Sequence, residues 1–108
     1  MIRVDLPSST GQSKPPLVEG FSPDLWAKNF KDGMVIIGEA KTLRDIENRH
    51  SSAQFSAFLK FCHDNRPSLF VVAVPWMMVN CAKSQIEYMK RITKTQDVQV
   101  VFLDMLPA

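Results

Sequence analysis

The sequence predicts an α/β fold with a central mixed sheet flanked by helices, and three observations indicate it. Met34–Ala40 is apolar on both faces until Glu39, and Leu69–Val74 is a continuous apolar run. Runs of this kind are typical of strands that are buried on both sides. Segments with helical spacing alternate with strands in the second half, which favours right-handed crossovers in a layered domain. We therefore expect three layers, with the sheet in the middle.

The size and composition of the chain fit one domain spanning residues 1–108. It has 108 residues, 45% of them hydrophobic, and a net charge of +2. This charge permits a nucleic-acid partner without arguing for one. No apolar run is long enough for a membrane span, and the N-terminus lacks the apolar segment of a signal peptide. We expect a cytoplasmic protein without a membrane partner, in which Cys62 and Cys81 are reduced, buried thiols rather than metal ligands.

The N-terminal half is predicted to contain an edge strand and a hairpin. Residues 1–6 alternate apolar and charged side chains, and residues 7–16 form a Ser-, Gly- and Pro-rich flexible loop. Lys31-Asp32-Gly33 is a tight-turn signal in front of an apolar run. We therefore expect a hairpin that pairs Leu25–Phe30 with Met34–Lys41.

The second half is predicted to alternate helix and strand. Ser51 and Gln54 have the spacing of a capping box, which would mark a helix start, and Pro67 follows that helix. Pro75 and Trp76 interrupt the apolar run before a second amphipathic pattern begins. The predicted elements are a helix at Ser52–Asn65, a strand at Leu69–Val74, a helix at Met78–Lys94 and a strand at Val98–Leu103.

Charged residues stand at the tip of the first apolar run. Glu39 and Lys41 share one side of the strand because successive side chains alternate, and Ala40 lies on the other. The predicted hairpin brings Asp24, which follows Pro23, beside Glu39 on the neighbouring strand. Charged groups are costly to bury unless they are paired or bind a metal. This cluster is therefore the candidate site.

These residue types suit metal-assisted hydrolysis of a phosphodiester. Asp24 and Glu39, with water and the backbone carbonyl of Ala40, form an oxygen ligand set for Mg²⁺. Lys41 would hold a phosphate or orient the attacking water, while the metal supplies Lewis acidity. The alternative interpretation is a solvated strand end with a surface Glu–Lys pair, which contributes little.

The two segments around these residues resemble a known family. Gly-Phe-Ser-Pro-Asp-Leu at residues 20–25 and Ile-Gly-Glu-Ala-Lys-Thr at residues 37–42 resemble the PD-(D/E)xK nucleases, the restriction-endonuclease-like superfamily. The resemblance covers about residues 17–75. It implies a restriction-endonuclease-like three-layer fold, a Mg²⁺-dependent endonuclease that accepts Mn²⁺, a DNA substrate rather than RNA, and a symmetric homodimer. Gln54 matches a glutamine that faces the site in many members.

Some features of the sequence leave alternatives open. Gln54 is equally explained as the capping partner of Ser51, and His50 as a local hydrogen-bonding residue rather than a catalytic one. Many members carry an acid on a helix before the first strand, and this sequence shows no helix pattern there. Glu19 is the nearest acid. The alternative function is therefore an inactive nuclease-like module that binds nucleic acid or a protein.

Basic residues supply candidate contacts to nucleic acid. Arg44 and Arg49 follow the charged tip directly, and a solvated face is the alternative for the lysines and arginine of the second helix. Trp76, beside two methionines, is predicted to pack in the core or at an interface, with base stacking as the alternative. The candidate nucleic-acid residues are Arg44, Arg49, Lys83 and Lys90, with Arg91 and Lys94 on the same helix.

Overall fold

Five strands and two helices make up the part of the chain that the computed structural model describes, which is residues 2–5, 17–18, 20–29, 31–42 and 49–105. A 3₁₀ turn at Trp76–Met78 joins the fourth strand to the second helix. The elements in order are β1 (Ile2–Asp5), β2 (Leu25–Asn29), β3 (Val35–Ala40), α1 (Arg49–Asp64), β4 (Ser68–Pro75), α2 (Val79–Thr93) and β5 (Val100–Met105).

The sheet is mixed, and its strands lie in chain order from β1 to β5. β1, β2 and β3 pair antiparallel, whereas β3, β4 and β5 pair parallel. The turn between β2 and β3 uses Gly33, whose φ of +75° favours glycine. The backbone amide of Gly33 donates to the Asn29 carbonyl at 2.8 Å, and the backbone amide of Asn29 donates to the Met34 carbonyl at 2.9 Å. The predicted mixed sheet and hairpin are confirmed.

The core lies between the helices and one face of the sheet. Phe70 in β4 is fully buried and meets the rings of Phe55 and Phe58 edge-on, with centroids 6.1 and 5.8 Å away. Ala82, Ile86 and Met89 supply the buried stripe of α2, as their helical spacing predicts. Because α1 and α2 also contact each other, both helices lie on the same side.

The expectation of helices on both faces is wrong for the described residues, which form two layers. Burial alternates along β4, with buried residues on the helix side and half-buried ones on the other. Val101 and Leu103 of β5 are 41% and 50% exposed on that second face. The uninterrupted apolar runs therefore predicted more burial than these strands have. Apolar residues also occur on exposed surfaces, so an apolar run does not by itself show that both faces of a strand are covered.

The helix boundaries also differ from expectation in one place. α1 begins at Arg49, so Ser51 and Gln54 lie inside the helix and the capping-box prediction is wrong. α2 and β4 match their predicted spans to within one residue at each end, while β5 begins two residues late. Neither of the described helices is long and apolar enough to cross a membrane.

Replacing Phe70 with alanine tests the single core. We expect Phe70→Ala to lower the free energy of unfolding by about 3–5 kcal/mol, because it removes a fully buried ring from between two others. Urea denaturation followed by circular dichroism measures this. Val101→Ala, a change on the exposed face, is the control and should cost under about 1 kcal/mol. Equal losses in both variants would contradict a one-sided core.

Candidate functional site

The hairpin joins Asp24 and Glu39 through reciprocal hydrogen bonds. The Asp24 amide donates to Oε1 of Glu39 at 3.2 Å. In return, Oδ2 of Asp24 accepts the Ala40 amide at 2.8 Å. The register sets this arrangement. Leu25 pairs with Gly38 in antiparallel strands, so Asp24, the residue before Leu25, lies opposite Glu39, the residue after Gly38. The predicted proximity of the two carboxylates is confirmed.

Lys41 extends the cluster towards α1. Its amide donates to the Ala73 carbonyl at 2.9 Å, which holds the residue beside the end of β4. Its Nζ lies 3.2 Å from Oε2 of Glu39 and donates a hydrogen bond to Oε1 of Gln54. The network thus connects four residues: Asp24 directly before β2, Glu39 and Lys41 at the end of β3, and Gln54 in α1. α1 begins at Arg49, five residues before Gln54. Gln54 therefore lies inside the helix and bonds Lys41 instead of capping the start of the helix.

Burial gives the network its electrostatic character. Glu39, Lys41 and Gln54 are 5%, 6% and 8% exposed, whereas Asp24 is exposed. Burial, helped by the nearby charge of Asp24 and opposed by Lys41, raises the pKa of Glu39 from 4.5 to about 7. The solvated-pair interpretation of Glu39 and Lys41 is therefore wrong, since both charges are buried. The network thus contains two neighbouring carboxyl groups, those of Asp24 and Glu39, and the buried ammonium group of Lys41.

A small apolar pocket of about 160 Å³ lies beside the network at the carboxyl ends of the parallel strands, on the face of the sheet that the described helices leave open. Gly38 allows β2 to approach β3 here, because a Cβ at this position would lie 3.0 Å from Cβ of Leu25. Three wall residues, Val71, Ala73 and Leu103, come from strands that the sequence did not connect to the site. The pocket is lined by Asp24, Leu25, Gly38, Glu39, Ala40, Val71, Ala73 and Leu103.

The donor set of the site fits a hard divalent cation. Asp24 and Glu39 supply two neighbouring carboxylates, and Mg²⁺ binds through one or two protein carboxylates while it keeps several waters. Within the described residues no group of three or more His, Cys, Asp or Glu side chains converges. A softer metal that requires nitrogen or sulfur ligands is therefore a poor fit to this cluster.

The other predicted residues do not join this network. Lys83 lies over the Phe102 ring at 5.9 Å and Lys90 lies 3.9 Å from Glu87, and neither lines the pocket. Trp76 is 61% exposed, so the core alternative for it is wrong. Arg49 and His50 lie in the first turn of α1, and their side chains, with Arg44 and Glu19, fall outside the described residues.

A second charged cluster, which the sequence did not reveal, lies at the opposite end of the sheet. Nδ1 of His63 lies 2.8 Å from Oδ1 of Asp97, and Arg66 donates to Oδ2 of Asp97 at 2.9 Å. The hydrogen bond from His63 is the main cause that lowers the pKa of Asp97. Because 31 or more residues separate these partners from Asp97, no local spacing could have signalled the contact.

Comparisons with protein families, with curated proteins and with solved structures found no match to this chain.

The raised pKa of Glu39 predicts a pH-dependent stability. The Glu39 carboxyl binds its proton more tightly in the folded state than in the unfolded state. The folded protein therefore loses stability as this carboxyl ionises. The free energy of unfolding should therefore fall as pH rises from about 4.5 to about 7. The full loss corresponds to roughly 3 kcal/mol. Urea denaturation at several pH values measures it.

Glu39→Gln removes the titrating group and should flatten this part of the profile. Glu87→Gln, which changes an exposed carboxyl on α2, is the matched control and should keep the wild-type shape. An unchanged profile in Glu39→Gln would show that the buried carboxyl does not cause the dependence.

Proposed function

We propose that this protein is a Mg²⁺-dependent endonuclease of the PD-(D/E)xK type that hydrolyses phosphodiester bonds in DNA. The observation that carries the proposal is the connected network of Asp24, Glu39, Lys41 and Gln54 at one end of the sheet. These are the four residues that the resemblance assigns to the site. An antiparallel hairpin followed by parallel strands with intervening helices supports a restriction-endonuclease-like fold, although the described part has only one helical layer.

In this proposal Asp24 and Glu39 hold the metal, and Mn²⁺ can replace Mg²⁺. When bound, the ion supplies Lewis acidity and lowers the pKa of a coordinated water. The Ala40 amide fixes the carboxylate of Asp24, and the Asp24 amide fixes that of Glu39, so both acids are oriented before any ligand arrives. Preorganised acids of this kind lose little entropy when a cation binds.

Lys41 has the role of holding the phosphate or orienting the attacking water. Its ammonium is buried between Glu39 and Gln54, so its position is fixed by two acceptors. Glu39 would give up its contact with Lys41 when it holds a cation. The Lys41 ammonium would then be available to an anionic phosphate, while Gln54 would keep the lysine near the site. Gln54 therefore acts as a positioning residue for Lys41.

A non-catalytic nuclease-like module is the second candidate, and one observation favours it. Among the described residues the site contains two carboxylates and no third acid. In such a module Lys41 would neutralise Glu39 permanently, and the network would serve stability. The two candidates differ in whether a divalent cation binds at Asp24.

Cleavage assays test the enzymatic proposal. We expect purified protein to cut DNA with Mg²⁺ or Mn²⁺, and Lys41→Ala to lower the rate by about 100-fold or more, because it removes a charge-stabilising group from the reaction. Lys60→Ala, on the exposed side of α1, is the matched control and should keep the wild-type rate. Gel analysis of duplex, single-stranded and branched DNA measures cutting. No cleavage of any of these substrates by the wild type would overturn the proposal.

Metal titration tests the site independently of cleavage. We expect calorimetry to detect one Mn²⁺ or Mg²⁺ site per chain, which Asp24→Asn weakens at least about tenfold because a charged ligand becomes neutral. Asparagine keeps an oxygen that can accept the Ala40 amide, so the hairpin should persist. Asp64→Asn, at the exposed end of α1, is the control. Tight DNA binding without a metal site would support the non-catalytic module instead.

A further inference from the structure

We propose that Trp76 is a stacking platform for an unpaired base, and that the preferred substrate is DNA with single-stranded nucleotides beside the cleaved bond. Trp76 is 61% exposed, although tryptophan is on average a largely buried residue. The substrate class rests on the proposed nuclease function, whereas binding of a single strand at Trp76 does not depend on cleavage.

Trp76 lies at the end of the sheet that carries the network. β4 ends at Pro75, and Trp76 begins the 3₁₀ turn that leads into α2 on the helix-covered face. The carbonyl of Ala73, three residues before Trp76, accepts the Lys41 amide at 2.9 Å. Three strand residues span about 10 Å, which is about the length of three stacked nucleotides of one DNA strand. A strand with a phosphate at Lys41 can therefore place a nearby base at Trp76.

The backbone on both sides of Trp76 is fixed, while its side chain is exposed. Pro75 is buried and pairs with Met105 in the sheet. The Trp76 carbonyl accepts the backbone amide of Val79, which closes the turn. An aromatic side chain with two rotatable bonds loses little conformational entropy when a ligand covers it. The position therefore suits a contact that needs an aromatic face held in place.

The apolar surface at Trp76 is too small for a stable protein interface. Met77 beside it is 45% exposed, and the exposed residues that follow on α2 are polar as far as Tyr88. These polar residues are Asn80, Lys83, Ser84 and Glu87. A large aromatic side chain buries about 150–250 Å², whereas each partner in a typical stable complex buries about 800 Å². A single nucleobase matches the smaller area.

Stacking on an exposed ring requires a base whose face is accessible. Inside a closed duplex both faces of each base are covered by the neighbouring pairs, and an enzyme that needs such a base must first take it out of the stack. Single strands offer accessible bases, and aromatic side chains bind them with little sequence preference because every base has a π-face. Trp76 therefore favours single-stranded DNA, and the single-stranded arms of branched DNA, over closed duplex.

Binding of an oligonucleotide in EDTA tests the platform separately from metal and cleavage. We expect fluorescence anisotropy at low ionic strength to detect single-stranded DNA binding, which Trp76→Ala weakens at least about fivefold because a stacked base loses its partner. Trp76→Phe keeps an aromatic face and should restore most of the affinity. Tyr88→Ala, which removes an exposed aromatic residue near the other end of α2, is the matched control and should bind like the wild type.

Circular dichroism checks that these variants fold. A wild type that does not bind the single strand, or a Trp76→Ala variant that binds it equally well, overturns the platform and assigns the exposed ring to a protein contact. An affinity that Trp76→Phe does not restore overturns it as well, because the loss then comes from packing rather than from stacking.

Cleavage of matched substrates tests the substrate class. We expect the wild type with Mg²⁺ to cut a single strand at least about tenfold faster than a closed duplex of the same sequence, and Trp76→Ala to lower this ratio at least about fivefold. Tyr88→Ala should keep the ratio. An active wild type with equal rates, or a ratio that Trp76→Ala does not change, overturns the preference and leaves the nuclease proposal intact. No cleavage of any substrate, together with Trp76-dependent binding in EDTA, overturns the nuclease proposal and leaves the platform intact.

Discussion

The buried ion pair between Glu39 and Lys41 is the constraint on which the site depends. Both charges are removed from water, and each would be strongly destabilising without the other. Contacts from three parts of the fold surround the pair. Asp24, directly before β2, supplies the amide that binds Glu39, β4 supplies the carbonyl that holds Lys41, and α1 supplies Gln54. The hairpin, the parallel strands and the first helix therefore meet at this point.

The same pair offsets part of the repulsion between two neighbouring carboxylates. Asp24 and Glu39 repel each other, and burial disfavours the charged form of Glu39, so its pKa rises to about 7. The ammonium of Lys41 offsets part of this cost. In the proposed nuclease, the two oriented acids would hold a divalent cation, and the Lys41 ammonium would then be free to contact a phosphate. In the second candidate function, Lys41 would stay paired with Glu39.

The two faces of the sheet differ in what covers them. Both described helices pack on one face, and Gln54 of α1 joins Lys41 and Glu39 there. The pocket lies on the other face, where Ala73 and Leu103 line it, so the ion pair and the pocket are on opposite sides of the sheet.

The sequence by itself determined the hairpin and the clustering of Asp24, Glu39 and Lys41, while it left the role of Gln54 open. The turn at Gly33 and the alternation of Glu39 and Lys41 are local signals, so adjacency to Asp24 followed from strand geometry. The spans of β4 and α2 were likewise readable, because their hydrophobic patterns are continuous over many residues.

Only the tertiary structure decided what lies around those residues. α1 begins at Arg49, so Gln54 lies inside the helix and accepts a hydrogen bond from Lys41, which the capping pattern did not predict. The pocket wall at Leu103 and the bond between His63 and Asp97 depend on strand order. The number of layers depends on which face each helix covers. Packing between segments that are distant in the sequence sets these features, so the local spacing of residues cannot predict them.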